Sequence, residues 1–152
     1  MRYLRASIAA CAVSVCLIVI AGCGSSRTTQ FKAGYAAAQA PLNQTFLDVS
    51  RTVTHVKGET LAEIARSFGA LADRLGEELA PLEALKPPAV AATAFTKLCT
   101  SLDRVERDLR GTSVALRAKD LVAAAHALEH LRSDAVTAAD AATGVAQKLD
   151  HK

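Results

Sequence analysis

Apolar residues recur at alternating steps of three and four along the chain from Phe31 to Leu149. This spacing puts them on one face of an α-helix, whereas a half-buried strand alternates at every second residue. Alanine, the strongest helix former, supplies 32 of the 152 residues, while aromatic residues make up only 4%. A β-domain of this length would need many more β-branched and aromatic residues. The pattern therefore predicts an all-α fold around one hydrophobic core.

Turn signals divide the apolar series into four helices of similar length. Lys57-Gly58 closes the first helix, and Thr60 and Glu63 have the spacing of a capping box for the second. Lys86-Pro87-Pro88 ends the second helix, and Asp120 is a suitable N-cap for the fourth. Short connections between such helices favour an antiparallel up-down four-helix bundle. The predicted core positions are Phe31, Tyr35, Ala38, Leu42, Phe46, Val49, Val53 and Val56; Leu61, Ile64, Phe68, Leu71, Leu75, Leu79, Leu82 and Leu85; Phe95, Leu98, Leu102, Val105, Leu109, Thr112 and Leu116; and Leu121, Ala124, Leu128, Leu131, Ala135, Ala138, Ala142, Val145 and Leu149.

Two prolines fall inside the predicted helices. Pro41 lies within the first apolar series, whose phase continues across it, and this predicts a kinked or restarted helix. Pro81 lies near the end of the second series, where we expect it to bend the final turn.

The N-terminus has the pattern of a secretory signal peptide. Arg2 and Arg5 precede the uncharged segment 6–22, which is shorter than the roughly 20 residues of a comfortable transmembrane helix. The segment ends in Ile20-Ala21-Gly22-Cys23, which resembles the lipobox of bacterial lipoproteins. The resemblance implies cleavage before Cys23, a diacylglyceryl group on its thiol, and an acyl chain such as palmitate on the new N-terminus. The alternative is an uncleaved signal anchor or an ordinary signal peptide in which Cys23 is incidental.

This interpretation divides the chain into a signal peptide (1–22), a lipidated cysteine and tether (23–28) and a helical bundle domain (29–152). Cleavage and lipidation leave Cys99 as the one free cysteine, so no disulfide is expected within the mature chain. Losing two arginines lowers the basic residues from 18 to 16, against 15 acidic residues. A nearly neutral domain lacks the concentrated basic charge of nucleic-acid-binding proteins, so no nucleic-acid partner is expected.

The segment His126-Ala127-Leu128-Glu129-His130 matches the H-x-x-E-H motif of inverted zinc metallopeptidases. Helical spacing puts His126 and His130 on one face, as a zinc site requires. The apolar stripe of the same helix includes Leu128, which turns both histidines and Glu129 toward solvent. We therefore expect a solvated face without a catalytic role, with zinc binding at His126, Glu129 and His130 as the alternative.

The sequence predicts no cofactor. It has no C-x-x-C-H haem motif, its one methionine is Met1, and no Glu is followed by His three residues later, as in di-iron bundles. Cys99 follows the core position Leu98 and is expected to be a partly buried apolar residue, with an intermolecular disulfide or a reactive thiol as the alternative.

The segment Leu82-Glu83-Ala84-Leu85-Lys86-Pro87-Pro88, with the alanine-rich helices, is similar to small helical lipoproteins of high-GC bacteria. Most of these have no assigned activity. The resemblance implies a non-enzymatic binding or scaffold module of the cell envelope, lipid-anchored at Cys23 on the extracytoplasmic face of the cell membrane, with an envelope protein as partner. A second hypothesis is a carrier that holds an apolar ligand inside the bundle. A zinc-dependent protein using His126 and His130 is the third.

Overall fold

The computed structural model describes residues 26–55 and 58–150, and these form four α-helices. Helix α1 spans Ser26–Thr54, α2 spans Leu61–Glu83, α3 spans Ala92–Arg117 and α4 spans Leu121–Asp150. No strand occurs within these ranges. The prediction of an all-α four-helix bundle is confirmed.

Contacts between helices show that each runs antiparallel to the next. Between α1 and α2, Thr45 Oγ1 donates to Glu78 Oε1 at 2.9 Å, and Arg74 Nη1 lies 2.6 Å from Asp48 Oδ2. Later residues of α1 thus meet earlier residues of α2. The same order holds between α2 and α3, where Arg110 pairs with Asp73 and Ser113 Oγ donates to the carbonyl of Ala65. It holds again between α3 and α4, where Ala94 faces Gly144 and Asp108 faces Asp134.

Helix α3 is central to the packing. Its backbone approaches α4 and α2 closely along their lengths, whereas α1 packs chiefly on α2. The first turns of α1 also reach α3, because the Phe31 and Phe95 ring centroids are 5.2 Å apart in an edge-to-face arrangement. Small residues permit the close approaches: a Cβ at Gly34 would come within 2.7 Å of Leu85 Cδ2.

The alternating spacing predicted most of the core correctly. All seven predicted positions of α3 are buried, and so are Phe68 and the leucines that follow it in α2 up to Leu82. Phe46, Val49 and Val53 are only partly buried but pack against the core. Val56 and Lys57 lie outside the described residues.

Two predicted core residues are exposed, and three polar residues outside the predicted core are buried, namely Thr45, Ser101 and Ser113. Leu61 and Leu121 are the first residues of α2 and α4, where no neighbouring helical turn covers them. The prediction that they belong to the core is therefore wrong. Thr45 and Ser113 are buried because their hydroxyl groups donate hydrogen bonds between helices.

The predicted helix signals are present at two N-termini. Thr60 Oγ1 accepts from the Glu63 backbone N–H, and Glu63 Oε2 accepts from the Thr60 backbone N–H at 2.8 Å, which completes the capping box. Asp120 Oδ1 accepts from the Ala123 N–H at 2.9 Å and caps α4. Gly58 has a φ of 95°, but α1 ends at Thr54, four residues earlier, so Gly58 is not the C′ residue that the sequence predicted for this helix.

The start of α1 differs from the predicted tether, and both prolines lie inside helices that continue past them. Helix α1 begins at Ser26, so the last three residues of the predicted tether are helical. Helical residues continue without a break through Pro41 in α1 and Pro81 in α2. Among the described helices, none has a stretch long and apolar enough to cross a membrane.

Lys119 occupies an unusual position after α3. The Asp120 N–H donates to the Ala115 carbonyl and the Lys119 N–H donates to the Leu116 carbonyl, which together form a Schellman motif. Lys119 is its left-handed residue, with φ of 59°, and is the one non-glycine residue at positive φ among the described residues. Glycine is the residue usually found at this position because a Cβ is disfavoured there.

The first prediction concerns the core. We expect Phe68→Ala to lower the free energy of unfolding by about 3–5 kcal/mol, because Phe68 is fully buried and its removal leaves a cavity. Urea unfolding measures the change. The control Val136→Ala changes an exposed residue of α4 and should stay within about 0.5 kcal/mol. A loss below about 1 kcal/mol for Phe68→Ala would contradict this core.

The second prediction concerns the Schellman motif. Lys119→Gly should raise the free energy of unfolding by about 1 kcal/mol, because glycine adopts the left-handed conformation without the steric penalty. The control is Ala118→Gly, one residue earlier, where φ of −75° favours alanine and glycine should destabilise. A less stable Lys119→Gly protein would show that the lysine is not strained.

Candidate functional site

Of the predicted functional residues, Cys23 lies outside the described residues, so its lipidation stays a prediction. The described chain begins three residues later, at Ser26, and is helical from that point. The start of α1, the α2–α3 connection and the end of α4 share one end of the bundle, which we call the N-terminal end. The α1–α2 connection and the α3–α4 turn share the opposite end, which we call the far end.

The histidine motif lies on the solvent-facing side of α4, as its phase predicted. His126, Glu129 and His130 are all exposed, while Leu131 beside them is buried. Within residues 26–55 and 58–150, no three His, Cys, Asp or Glu side chains are grouped closely enough to hold a metal ion. The structure therefore gives no support to zinc binding by these residues.

A pair of carboxyl groups lies near the histidines, between α3 and α4. Burial raises the pKa of Asp108, and the negative charge of Asp134 and a hydrogen bond to it raise this pKa further. The charges of His130 and Arg107 oppose the shift. Asp108 Oδ2 is buried and receives no hydrogen bond from the described residues. Ionised Asp108 is thus poorly stabilised in the folded protein.

Cys99 lies near the aromatic cluster of Phe31, Tyr35 and Phe95 at the N-terminal end. It is half-buried, as its place beside Leu98 predicted. Burial raises the pKa of the Cys99 thiol to about 11, and nearby Glu83 and Asp103 add to this. Burial likewise raises the pKa of Tyr35 to about 12. Both groups are neutral at physiological pH, so Cys99 is not a thiolate nucleophile.

The far end carries a groove between the start of α2 and the end of α3, with a volume of about 260 Å³. We call it the far-end groove. Its lining residues are apolar or cationic, and none is acidic: Leu61, Ala62, Arg66, Leu116, Arg117 and Lys119. The groove opens at the bundle surface and not between the four helices, where a carried apolar ligand would lie.

The three cations of the far-end groove are not neutralised by ion pairs. Arg66 Nε donates to the Ala62 carbonyl at 3.4 Å, and neither Arg117 nor Lys119 forms a salt bridge within the described part of the chain. Arg117 extends from α3 across α2, where its Nη2 lies 3.3 Å from the position of a Cβ at Gly69. Gly69 thus leaves space for the guanidinium group.

Large apolar side chains share the far end with the groove. Val114 is 62% exposed, Leu121 59% and Val122 69%. Exposed apolar residues are normal on a protein surface, and here three of them lie at the same end of the bundle as the three cations.

Sequence reasoning did not find this groove. Its residues come from two segments about fifty positions apart, and only the antiparallel pairing of α2 with α3 brings them together. The helical pattern predicted that Leu61 and Leu121 belong to the core, so neither was considered as a surface residue of this end of the bundle. The one local signal was a lysine at a helix C-terminus where glycine is common.

Comparisons with known proteins give no relationship for this chain. No protein family matches the sequence, and no curated protein or solved structure is similar to it.

The third prediction concerns Asp108. Because its pKa is raised on folding, wild-type stability should fall as pH rises from the pKa of the unfolded carboxyl group through that of the folded one. Asp108→Asn should remove this loss and raise stability at pH 7 by about 1 kcal/mol or less. Urea unfolding between pH 4 and about pH 8 tests this.

The matched control is Asp140→Asn, which changes an exposed aspartate of α4 and should preserve the wild-type pH dependence. An Asp108→Asn protein that loses stability with rising pH as the wild type does would exclude Asp108 as the source.

Proposed function

We propose that this chain is a lipid-anchored protein of the cell membrane, and that its bundle is a non-enzymatic binding module on the extracytoplasmic face. The observation that carries the proposal is the Ile20-Ala21-Gly22-Cys23 segment, and the described part of α1 starts three residues after its cysteine. A lipidated Cys23 would therefore be joined almost directly to the folded domain.

This arrangement would orient the domain. Three extended residues span at most about 11 Å, so the N-terminal end would stay close to the lipid surface. Helix α1 has 29 residues and is about 43 Å long, so the far end could stand tens of ångströms from that surface. The far-end groove would then be presented outward, to a component of the cell envelope.

The charges of the N-terminal end are compatible with a nearby anionic membrane. Five basic residues lie at this end, in the first turns of α1 and α3, the α2–α3 connection and the last turn of α4: Arg27, Lys32, Lys86, Lys97 and Lys148. Glu83 and Asp150 are the acidic residues closest to them along these segments. A basic residue near an anionic surface contributes about 1 kcal/mol of attraction, so this end suits a membrane-facing position.

A binding role is favoured over catalysis by the chemistry of the far-end groove. Its lining supplies cationic and aliphatic side chains, which recognise and hold a ligand. It supplies no carboxylate, imidazole or thiol to serve as a general base or nucleophile.

The fourth prediction tests the anchor. When cells producing the full chain are fed an alkyne analogue of palmitate, the label should enter wild-type protein and be absent from Cys23→Ala, which lacks the acceptor thiol. Gel fluorescence after coupling to a dye measures incorporation, and mass spectrometry should find the modified N-terminus at Cys23.

Cys99→Ser is the matched control, because it removes the other cysteine of the mature chain and should keep the label. Equal labelling of Cys23→Ala and wild type, or no label in either, would overturn the lipid anchor.

A further inference from the structure

We propose that the far-end groove binds an anionic amphiphile, that is, a carboxylate or phosphate head group on a short alkyl chain. The inference rests on the proposed binding role and gives it a site and a ligand chemistry. Its geometric basis is the set of six lining residues, of which three are cationic and three apolar.

The charge of the groove selects an anion. Arg66, Arg117 and Lys119 all line the groove, and no lining residue is acidic. A carboxylate or phosphate that enters would therefore replace water around cations that have no ion-pair partner in the described chain. Guanidinium groups also offer paired N–H donors that suit the oxygens of such heads.

Two acidic residues adjoin the groove in sequence, and both are engaged in helix caps. Hydrogen bonds from the Thr60 backbone and hydroxyl hold the Glu63 carboxylate and lower its pKa, with a smaller contribution from the charge of Arg66. Asp120 caps α4 through the Ala123 N–H. These capping bonds hold the two carboxylates at the helix starts.

The apolar part of the groove accounts for the alkyl chain. Leu61, Ala62 and Leu116 provide aliphatic lining, and the exposed Leu121 and Val122 lie at the same end of the bundle. The groove has a volume of about 260 Å³, which is room for a head group and a short chain such as that of octanoate. A long acyl chain would extend onto the surrounding surface.

The strained conformation of Lys119 also fits a binding role. A left-handed lysine is less stable than glycine at this position, yet this lysine is one of the residues that line the groove. A residue that is unfavourable for stability and well placed for a ligand is typical of a functional position. Lys119→Gly should therefore have opposite effects, raising stability and weakening binding.

Photolabelling of the full chain tests the site. The protein is reconstituted in phosphatidylcholine vesicles and irradiated with a diazirine-bearing octanoate, and labelled peptides are identified by mass spectrometry. Labels should concentrate in the segments 61–66 and 116–122. Unlabelled octanoate or octyl phosphate should compete, and the neutral isostere octanamide should not. The more effective competitor identifies the preferred head group.

Variants separate the groove from nonspecific adsorption. Lys119→Gly should reduce labelling roughly threefold, and Arg117→Gln with Lys119→Gly roughly tenfold, as expected for exposed charge contacts. The matched control, Lys32→Gln with Lys148→Gln, removes two cations from the N-terminal end and should label as the wild type does. Circular dichroism checks that each variant remains helical.

Three results would overturn the proposal: equal competition by octanamide, unchanged labelling of the double variant, or labels in the buried core. The last would instead indicate an apolar ligand within the bundle. The lipid at Cys23 is detected separately, through the alkyne label. A negative photolabelling result would therefore leave the lipid anchor supported, and a negative result for the lipid anchor would not prevent the photolabelling measurement.

Discussion

The burial of one apolar face of α3 between α2 and α4 is the interaction on which the rest of the bundle depends. Val105 and Leu109, at the middle of α3, are completely buried. Both α2 and α4 make their most extensive helix–helix contact with α3, so removing α3 would leave each of them without its main packing partner. The packing of the bundle therefore depends on the apolar series of α3, which is the most regular of the four.

Polar contacts set the register of helices that apolar packing alone would leave free to slide. Alanine-rich helix faces carry side chains of equal, small size. A shift of one helix by one turn would therefore still bury methyl groups against methyl groups. The hydroxyl of Ser113 on the Ala65 carbonyl, and that of Thr45 on Glu78, each satisfy a buried group in one alignment only. These bonds therefore specify the arrangement more than they stabilise it.

The fold could be predicted from the sequence because spacing, capping and turn signals agreed. Thr60, Glu63 and Asp120 act as their positions indicated, and the series from Phe95 to Leu116 is buried throughout. The pattern erred at Leu61 and Leu121, because periodicity assigns a face but does not show where neighbouring helices end. It missed Thr45 because the acceptor of its hydroxyl hydrogen bond, Glu78, lies on another helix and is not visible in the local pattern. The far-end groove required the register of α2 against α3, which no local pattern contains.

The peripheral position of α1 has a mechanical consequence. Tension applied at the N-terminus enters the fold through the helix that packs mainly on a single neighbour. The load first reaches the opening turns of α1, where Phe31 and Tyr35 stack at 5.8 Å and both rings contact Phe95. These rings tie α1 directly to α3, the central helix. A force applied to the N-terminus is therefore transmitted to α3, the best-packed helix of the bundle, before the weaker interface between α1 and α2 separates.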